Sequence, residues 1–243
     1  KKIHSFLKYF RHEQVDSTTG SFKRAKFTVE NFITESPDLF IDIGVGRPDS
    51  EAWFICKRFP DLRIIGFEPN RQRYNLLQPE YPGELRSEIV IGQSELTYGY
   101  EGEKNFPNGF PSDTVLYTDD KQMHDGDKYN KVQYKGICID DVVKELEKAE
   151  SKIYKTIYIW ADTQGSELEI LKGCTALLSK GSILGLNLEV QPKNTIEVTY
   201  GWCYYEQIER FLRKYNIFPL EKYSSKTHDI HDDVFFKKAY NKN

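Results

Sequence analysis

Apolar and polar positions along this chain alternate between two rhythms. Short, β-branched-rich apolar runs recur at "LFIDIG" (39–44), "RIIGFEP" (63–69), "SEIVIG" (87–92), "YKGICID" (134–140), "TIYIWAD" (156–162) and "SILGLNLEV" (182–190), and each predicts a buried strand. Between them the apolar residues return every three or four positions. This predicts a helix capped by Asp49 or Ser50 and running to Phe59, where Pro60 ends it, and a short helix from Asn70 to Leu77. Further helices are expected over 141–150 behind Asp140, over 166–180 through Leu168, Leu171, Cys174 and Leu178, and over 204–215 through Tyr205, Ile208, Phe211 and Leu212. Two last strands, near 217–223 and 233–237, flank the turn "SSKTHDIHD" and read as a C-terminal antiparallel hairpin. The β–α repetition predicts an α/β fold: a mostly parallel sheet with helices on both faces. Ligands then lie outside the C-terminal ends of the strands.

The segments before and inside this core read differently. Ile3, Phe6, Leu7 and Phe10 stand at helical spacing, "DSTTG" (16–20) turns, and 27–34 reads as a second helix closed by Ser36–Pro37. Residues 1–37 are therefore expected to be a helical extension of a single domain spanning 1–243. The stretch 97–131 exceeds an ordinary connection and is rich in Gly, Pro, Asp and Tyr. Its Tyr98, Tyr100, Phe106 and Phe110 suit a substrate loop.

Composition narrows the partners. Of the 243 residues, 34 are Lys or Arg and 37 are Asp or Glu, a net charge of −3 with no basic stripe, so no nucleic-acid partner is expected. Cys56, Cys138, Cys174 and Cys203 show neither zinc-ligand spacing nor a disulfide framework and read as reduced thiols. No apolar run reaches the roughly 20 residues of a membrane span, and the first residues do not read as a signal peptide. A cytoplasmic protein acting on a small-molecule or glycan substrate is the expectation; homo-oligomerisation stays open.

Which nucleotide would the stretch after the first strand hold? "GVGRPDS" (44–50) lacks the Gly-Lys-Ser/Thr ending of a phosphate-binding P-loop. A dinucleotide fingerprint needs a third glycine at position 49, where Asp49 would crowd the helix and face a pyrophosphate with negative charge. S-adenosylmethionine has no phosphate, and its cationic centre suits nearby acids such as Asp42 and Asp49. Glu68 ends the second strand about 20 residues beyond the glycines, where an acid can accept ribose hydroxyl protons.

The second half adds "IYIWADTQGSELEILKGC" (157–174), in which a strand ends in Asp162, turns at Gly165 and enters a helix with Glu167. Taken in order, "FIDIGVG", "IIGFEP", "ICIDDVV", this segment and "LNLEVQ" resemble the FkbM family of S-adenosylmethionine-dependent methyltransferases over roughly residues 39–191. Asp162, Gln164, Gly165 and Glu167 match the family's central motif. Val45, Gly46, Arg47 and Pro48 depart from its usual first motif, Ala-Asn-x-Gly. The resemblance implies a Rossmann-like class I methyltransferase fold and O-methylation of a hydroxyl, often on a sugar, a glycan or a polyketide-type metabolite. The cofactor is then expected against Asp42, Gly44, Gly46, Glu68, Pro69, Asn70 and Gln93.

Methyl transfer to an alcohol needs the acceptor oxygen held near the methyl while its proton is removed, by a carboxylate, a histidine or a metal. Asp162, at a strand end facing the ligand, is the first candidate; otherwise it caps the following helix. Glu189 ends the next strand and could bind a substrate hydroxyl, share Mg²⁺ or another divalent metal with Asp162, or form a salt bridge. His228 and His231 lie in the last turn, where His231 could serve as a general base; His124, in the long loop, is a weaker candidate. Two other functions compete: an NAD-dependent sugar-modifying oxidoreductase, for which "YEGEK" (100–104) has Tyr-x-x-x-Lys spacing, and a non-catalytic Rossmann-like binding module.

Overall fold

The structure, a computed structural model, describes residues 26, 29–46, 51–102, 114–115, 129–163, 165–190, 205–223 and 232–238. The first strand, β1 (Leu39–Ile43), is buried at all five positions, and so is β8 (Ile157–Ala161). Such continuous apolar strands belong in the middle of a parallel sheet covered on both faces. They lie side by side there, Leu39 opposite Ile157 and Ile43 opposite Ala161. Outward from β1 come β2 (Arg63–Phe67) and β3 (Glu84–Arg86). Outward from β8 come β9 (Ile183–Val190), then β11 (Asp232–Lys238), then β10 (Ile217–Tyr223). β11 alone runs against its neighbours, so the expected hairpin closes the sheet.

Alternation along the strands sorts the core into two layers. Ile41, Phe67, Ile159 and Leu188 face α3 (Ile139–Glu150), α4 (Glu167–Lys172), α5 (Thr175–Lys180) and α6 (Tyr205–Arg213). Phe40, Ile64, Tyr158 and Trp160 face α1 (Glu51–Arg58) and α2 (Arg71–Leu77), together with Val29 and Ile33. Helices on both faces are thus present as expected. The elements expected over 1–15 lie outside the described residues.

Four local expectations change. The run 87–92 was expected to supply the third strand, but the sheet takes Glu84–Arg86 instead. This three-residue edge strand is held by charge: Arg63 bonds Glu84 and Glu150, while Arg86 bonds Glu84 and Glu145. Burial alone would raise the Glu84 carboxyl, yet the two guanidiniums hold it below its ordinary value. Charged edges also discourage pairing with other chains. The displaced apolar residues form β4 (Ile89–Val90), which pairs with β7 (Tyr129–Ile137) in a second sheet containing β5 (Leu96–Gly102) and β6 (Thr114–Val115). The stretch expected to be irregular from 97 therefore begins and ends as strand, with residues 103–113 and 116–128 outside the described set.

The fourth change concerns caps. Asp140 is not the N-cap of α3; Cys138 occupies that position, without a side-chain bond. Asp140 lies inside the first turn of α3 and accepts from Ala176 N at 2.8 Å and Leu177 N at 3.0 Å. It thereby caps α5, a second helix made where the expected 166–180 helix breaks at Gly173–Cys174.

Candidate functional site

The strand ends of β1, β2 and β8 meet at one turn. Gly44 adopts φ +86°, a conformation that favours glycine, and a side chain there would collide with the carbonyl oxygen of Asp162. Gly44 N and Val45 N both donate to Phe67 O, at 3.0 and 3.2 Å, and Asp162 N donates to Ile43 O at 3.0 Å. Gly46 N returns to Gly44 O at 2.7 Å. The turn is thus clamped between β2 and β8, with Val45 buried beneath it.

Asp42 supports this turn from inside the sheet. It is 1% exposed and accepts from the Tyr81 hydroxyl at 3.1 Å. Gly66, beside Asp42 in register, leaves the space the Tyr81 ring occupies. Trp53 meets the ring edge-on at 5.3 Å. Burial, and then the Asp42 charge, push the Tyr81 hydroxyl well above its ordinary pKa, so it stays a donor.

Glu68 follows β2 and is 3% exposed. Its Oε1 accepts from Asn70 N at 2.8 Å. Asn70 in turn caps α2, accepting from Gln72 N and Arg73 N at 3.0 and 3.1 Å. Pro69 between them is half-buried. Two tight local bonds therefore orient the expected ribose acid and the residues after it. Arg73 was not anticipated: it is buried, and a Cβ at Gly46 would stand 3.4 Å from its Nη1. Gln93 is exposed in the bend after β4.

Asp162, directly after β8, is exposed. The helix-cap alternative does not hold for it, since Ser166 occupies the N-cap position of α4. Glu189 is half-buried at the end of β9, and the pairing of Ala161 with Leu188 sets Asp162 and Glu189 at neighbouring strand ends. His124, His228 and His231 lie outside the described residues. Among the described residues no three His, Cys, Asp or Glu side chains gather as a metal site, so the acids at these strand ends do not form a cluster fitted to a divalent cation. Also among the described residues, no helix is long and apolar enough to cross a membrane.

Glu167 is the site's other unanticipated feature. The sequence placed it in a motif without assigning it a role. It is fully buried at the start of α4, and its Oε1 accepts from Thr163 N at 3.0 Å and Thr163 Oγ1 at 2.9 Å. Its Oε2 is buried without a hydrogen-bond partner. Burial, with the Asp162 charge adding to it, raises the carboxyl to about 7 despite its own backbone N–H and the Thr163 bonds, which oppose the shift.

The order of strands in the large sheet, with a single reversed strand inside one edge, is that of a Rossmann-like S-adenosylmethionine-dependent methyltransferase. The methyltransferase FkbM domain matches residues 42–224, and the chain belongs to that family. No curated protein matches the sequence. Among solved structures, an S-adenosylmethionine-dependent methyltransferase from Clostridium acetobutylicum is 8% identical at a TM-score of 0.48, covering 99% of this chain and 100% of its own. The mitomycin 7-O-methyltransferase MmcR (11% identical, TM-score 0.43) and EvdMO1 (14%, 0.42) each cover 90% of this chain. This chain spans only 54% and 41% of their respective lengths. These likenesses are too distant to add to the family assignment.

Proposed function

We propose that this methyltransferase is an O-methyltransferase whose acceptor is a sugar hydroxyl, on a nucleotide-linked sugar or a surface-glycan residue. The observation that supports the reading is the exposed acid Asp162 at the end of β8, whose backbone is pinned against the Gly44 turn. S-adenosylmethionine fits the residues present. Gly44 lets backbone approach closely, the buried Glu68 suits a ribose diol, and the acids nearby suit a cation better than a pyrophosphate. Bound there, the cofactor supplies a methyl group on a sulfonium. Asp42 and Tyr81 hold the turn beneath it, and Glu68, positioned by Asn70 N, holds the ribose. Asp162 orients the acceptor hydroxyl or draws on its proton, and Glu189 binds a neighbouring hydroxyl of the same sugar. His231, the residue before β11 in the sequence, is the further candidate base.

The hydride-transfer alternative has a specific observation against it: Tyr100 of "YEGEK" lies in strand β5 and not on a helix. Calorimetric titration with S-adenosylmethionine, S-adenosylhomocysteine and NAD tests the cofactor, the first two binding and NAD not. A screen of nucleotide sugars and glycan fragments, read by mass for one added methyl, tests the acceptor. Methylation confined to nitrogen or carbon acceptors would overturn the reading.

A further inference from the structure

Around Asp162 the hydroxyls are arranged in series. Ser166 Oγ donates to Thr163 Oγ1 at 2.8 Å, and Thr163 Oγ1 donates to Glu167 Oε1 at 2.9 Å. Serine at an N-cap ordinarily accepts from the helix's first amides. Ser166 makes no such bond, and its hydroxyl points along the chain of donors instead. Ser166 and Thr163 are half-buried while Glu167 is fully buried, so the series runs from partly exposed hydroxyls inward. It ends on a carboxylate whose second oxygen has no partner.

We propose that Ser166, Thr163 and Glu167 form a proton relay that carries the acceptor hydroxyl's proton away from the reacting oxygen during methyl transfer. The proposal rests on the O-methyltransferase reading. As the acceptor oxygen bonds to the methyl carbon, the C–S electron pair stays with sulfur, which becomes a neutral thioether. The acceptor's proton passes to Ser166 Oγ, the Ser166 proton to Thr163 Oγ1, and the Thr163 proton to Glu167 Oε1. The two hydroxyls are regenerated, and the carboxylate becomes a carboxylic acid, which loses its proton to solvent after product leaves. The cationic cofactor and anionic Glu167 together become two neutral species, so charge balances.

The surroundings of Glu167 suit this role. Asp162, at the end of β8, is the side-chain charge acting on it and disfavours its ionised form. The elements packed on α4 contribute Ile208 and Leu212 from α6 and Leu188 from β9 to the shared core. The charged residues of α6 (Glu206, Glu209, Arg210, Arg213) stand off its buried Ile208–Leu212 stripe, and Glu189 alternates to the opposite face of β9. On α4 itself Glu169 and Lys172 are exposed and paired with each other. A carboxyl raised to about 7 accepts a proton readily yet is largely ionised just above neutrality.

The test uses the full chain with whichever hydroxyl acceptor the wild type methylates. Thr163→Val and Glu167→Gln should lower kcat by ~10-fold to 10²-fold and abolish the rise in kcat through about pH 7. Thr163→Ser should restore both. S-adenosylhomocysteine affinity, measured calorimetrically, should stay within about twofold in each, which also reports that the variants fold. A folded Thr163→Val with wild-type kcat and pH profile overturns the relay alone. If the wild type binds S-adenosylmethionine but methylates no hydroxyl, the O-methyltransferase reading falls and the relay falls with it. Should Thr163→Val fail to bind S-adenosylhomocysteine, Ser166→Ala decides: reduced kcat with a flattened profile supports the relay, and an unchanged one overturns it.

Discussion

The ends of β1 and β2 and the end of β8 touch, yet their polar groups are used in opposite ways. At the first, Asp42 is closed in by Tyr81, and Glu68 and Asn70 are locked into bonds with the backbone that follows them. At the second, Asp162 is open to solvent and Glu167 keeps a buried oxygen without a partner. A ligand that must be held in one pose is best met by groups whose geometry is already fixed. A reacting proton needs an acceptor that is not fully satisfied. On the proposed function, the contrast puts binding on one side of the Gly44 turn and chemistry on the other.

The largest effect should come from breaking the seam between the two. Gly44→Ala adds a side chain into the Asp162 carbonyl at φ +86° and should cost about 3 kcal/mol or more, read by urea denaturation. A fully stable variant would show that the turn can move away from β8. Next is the pH dependence of stability. The folded pKa of Glu167 lies above its unfolded value, so the native state binds this proton more tightly. Wild-type stability therefore carries a favourable contribution at low pH that is lost as pH rises through about 7. Relative to wild type, Glu167→Gln should gain on the order of 3 kcal/mol between about pH 4 and pH 8, since each tenfold difference in proton affinity between the folded and unfolded chain is worth about 1.4 kcal/mol. Parallel stability curves for the two proteins would show Glu167 to be satisfied in solution.

Asp162→Asn tests the chemical side directly: turnover should fall by ~10²-fold or more while S-adenosylhomocysteine affinity barely changes. Normal turnover in this variant would leave orientation of the acceptor hydroxyl to Glu189 or His231, its proton still leaving through Ser166. Glu68→Ala tests the binding side. It should weaken cofactor affinity by ~1.5–3 kcal/mol in calorimetry, the scale of a charged hydrogen bond. Unchanged affinity would remove Glu68 from the cofactor site.

Sequence patterning exposed the elements whose residues are buried regardless of partner. β1, β2 and β8 read as strands because both of their faces are apolar or nearly so, and Gly44 and Glu68 were visible as punctuation at their ends. Features that depend on a distant contact were hidden. β3 is three residues with a charge at each end, stabilised by Arg63 from the neighbouring strand, and nothing local marks it. Arg73 reads as one more solvated helix residue until α2 is packed under the Gly46 turn. Glu167 likewise resembles an ordinary acidic first-turn residue, since only the fold shows that it is fully buried.

The Asp140 carboxylate has a consequence for motion. By bonding the amides of Ala176 and Leu177, it ties the start of α3 to the start of α5 across 36 residues of chain. That closed span contains β8, Asp162 and the whole Ser166–Thr163–Glu167 series. Opening of this span is therefore expected to require release of one carboxylate some distance along the chain. Amide exchange at Ala176 and Leu177 then serves as a clock for excursions of the segment that carries Asp162, running faster in Asp140→Asn or Asp140→Ala without any change to Asp162, Thr163, Ser166 or Glu167.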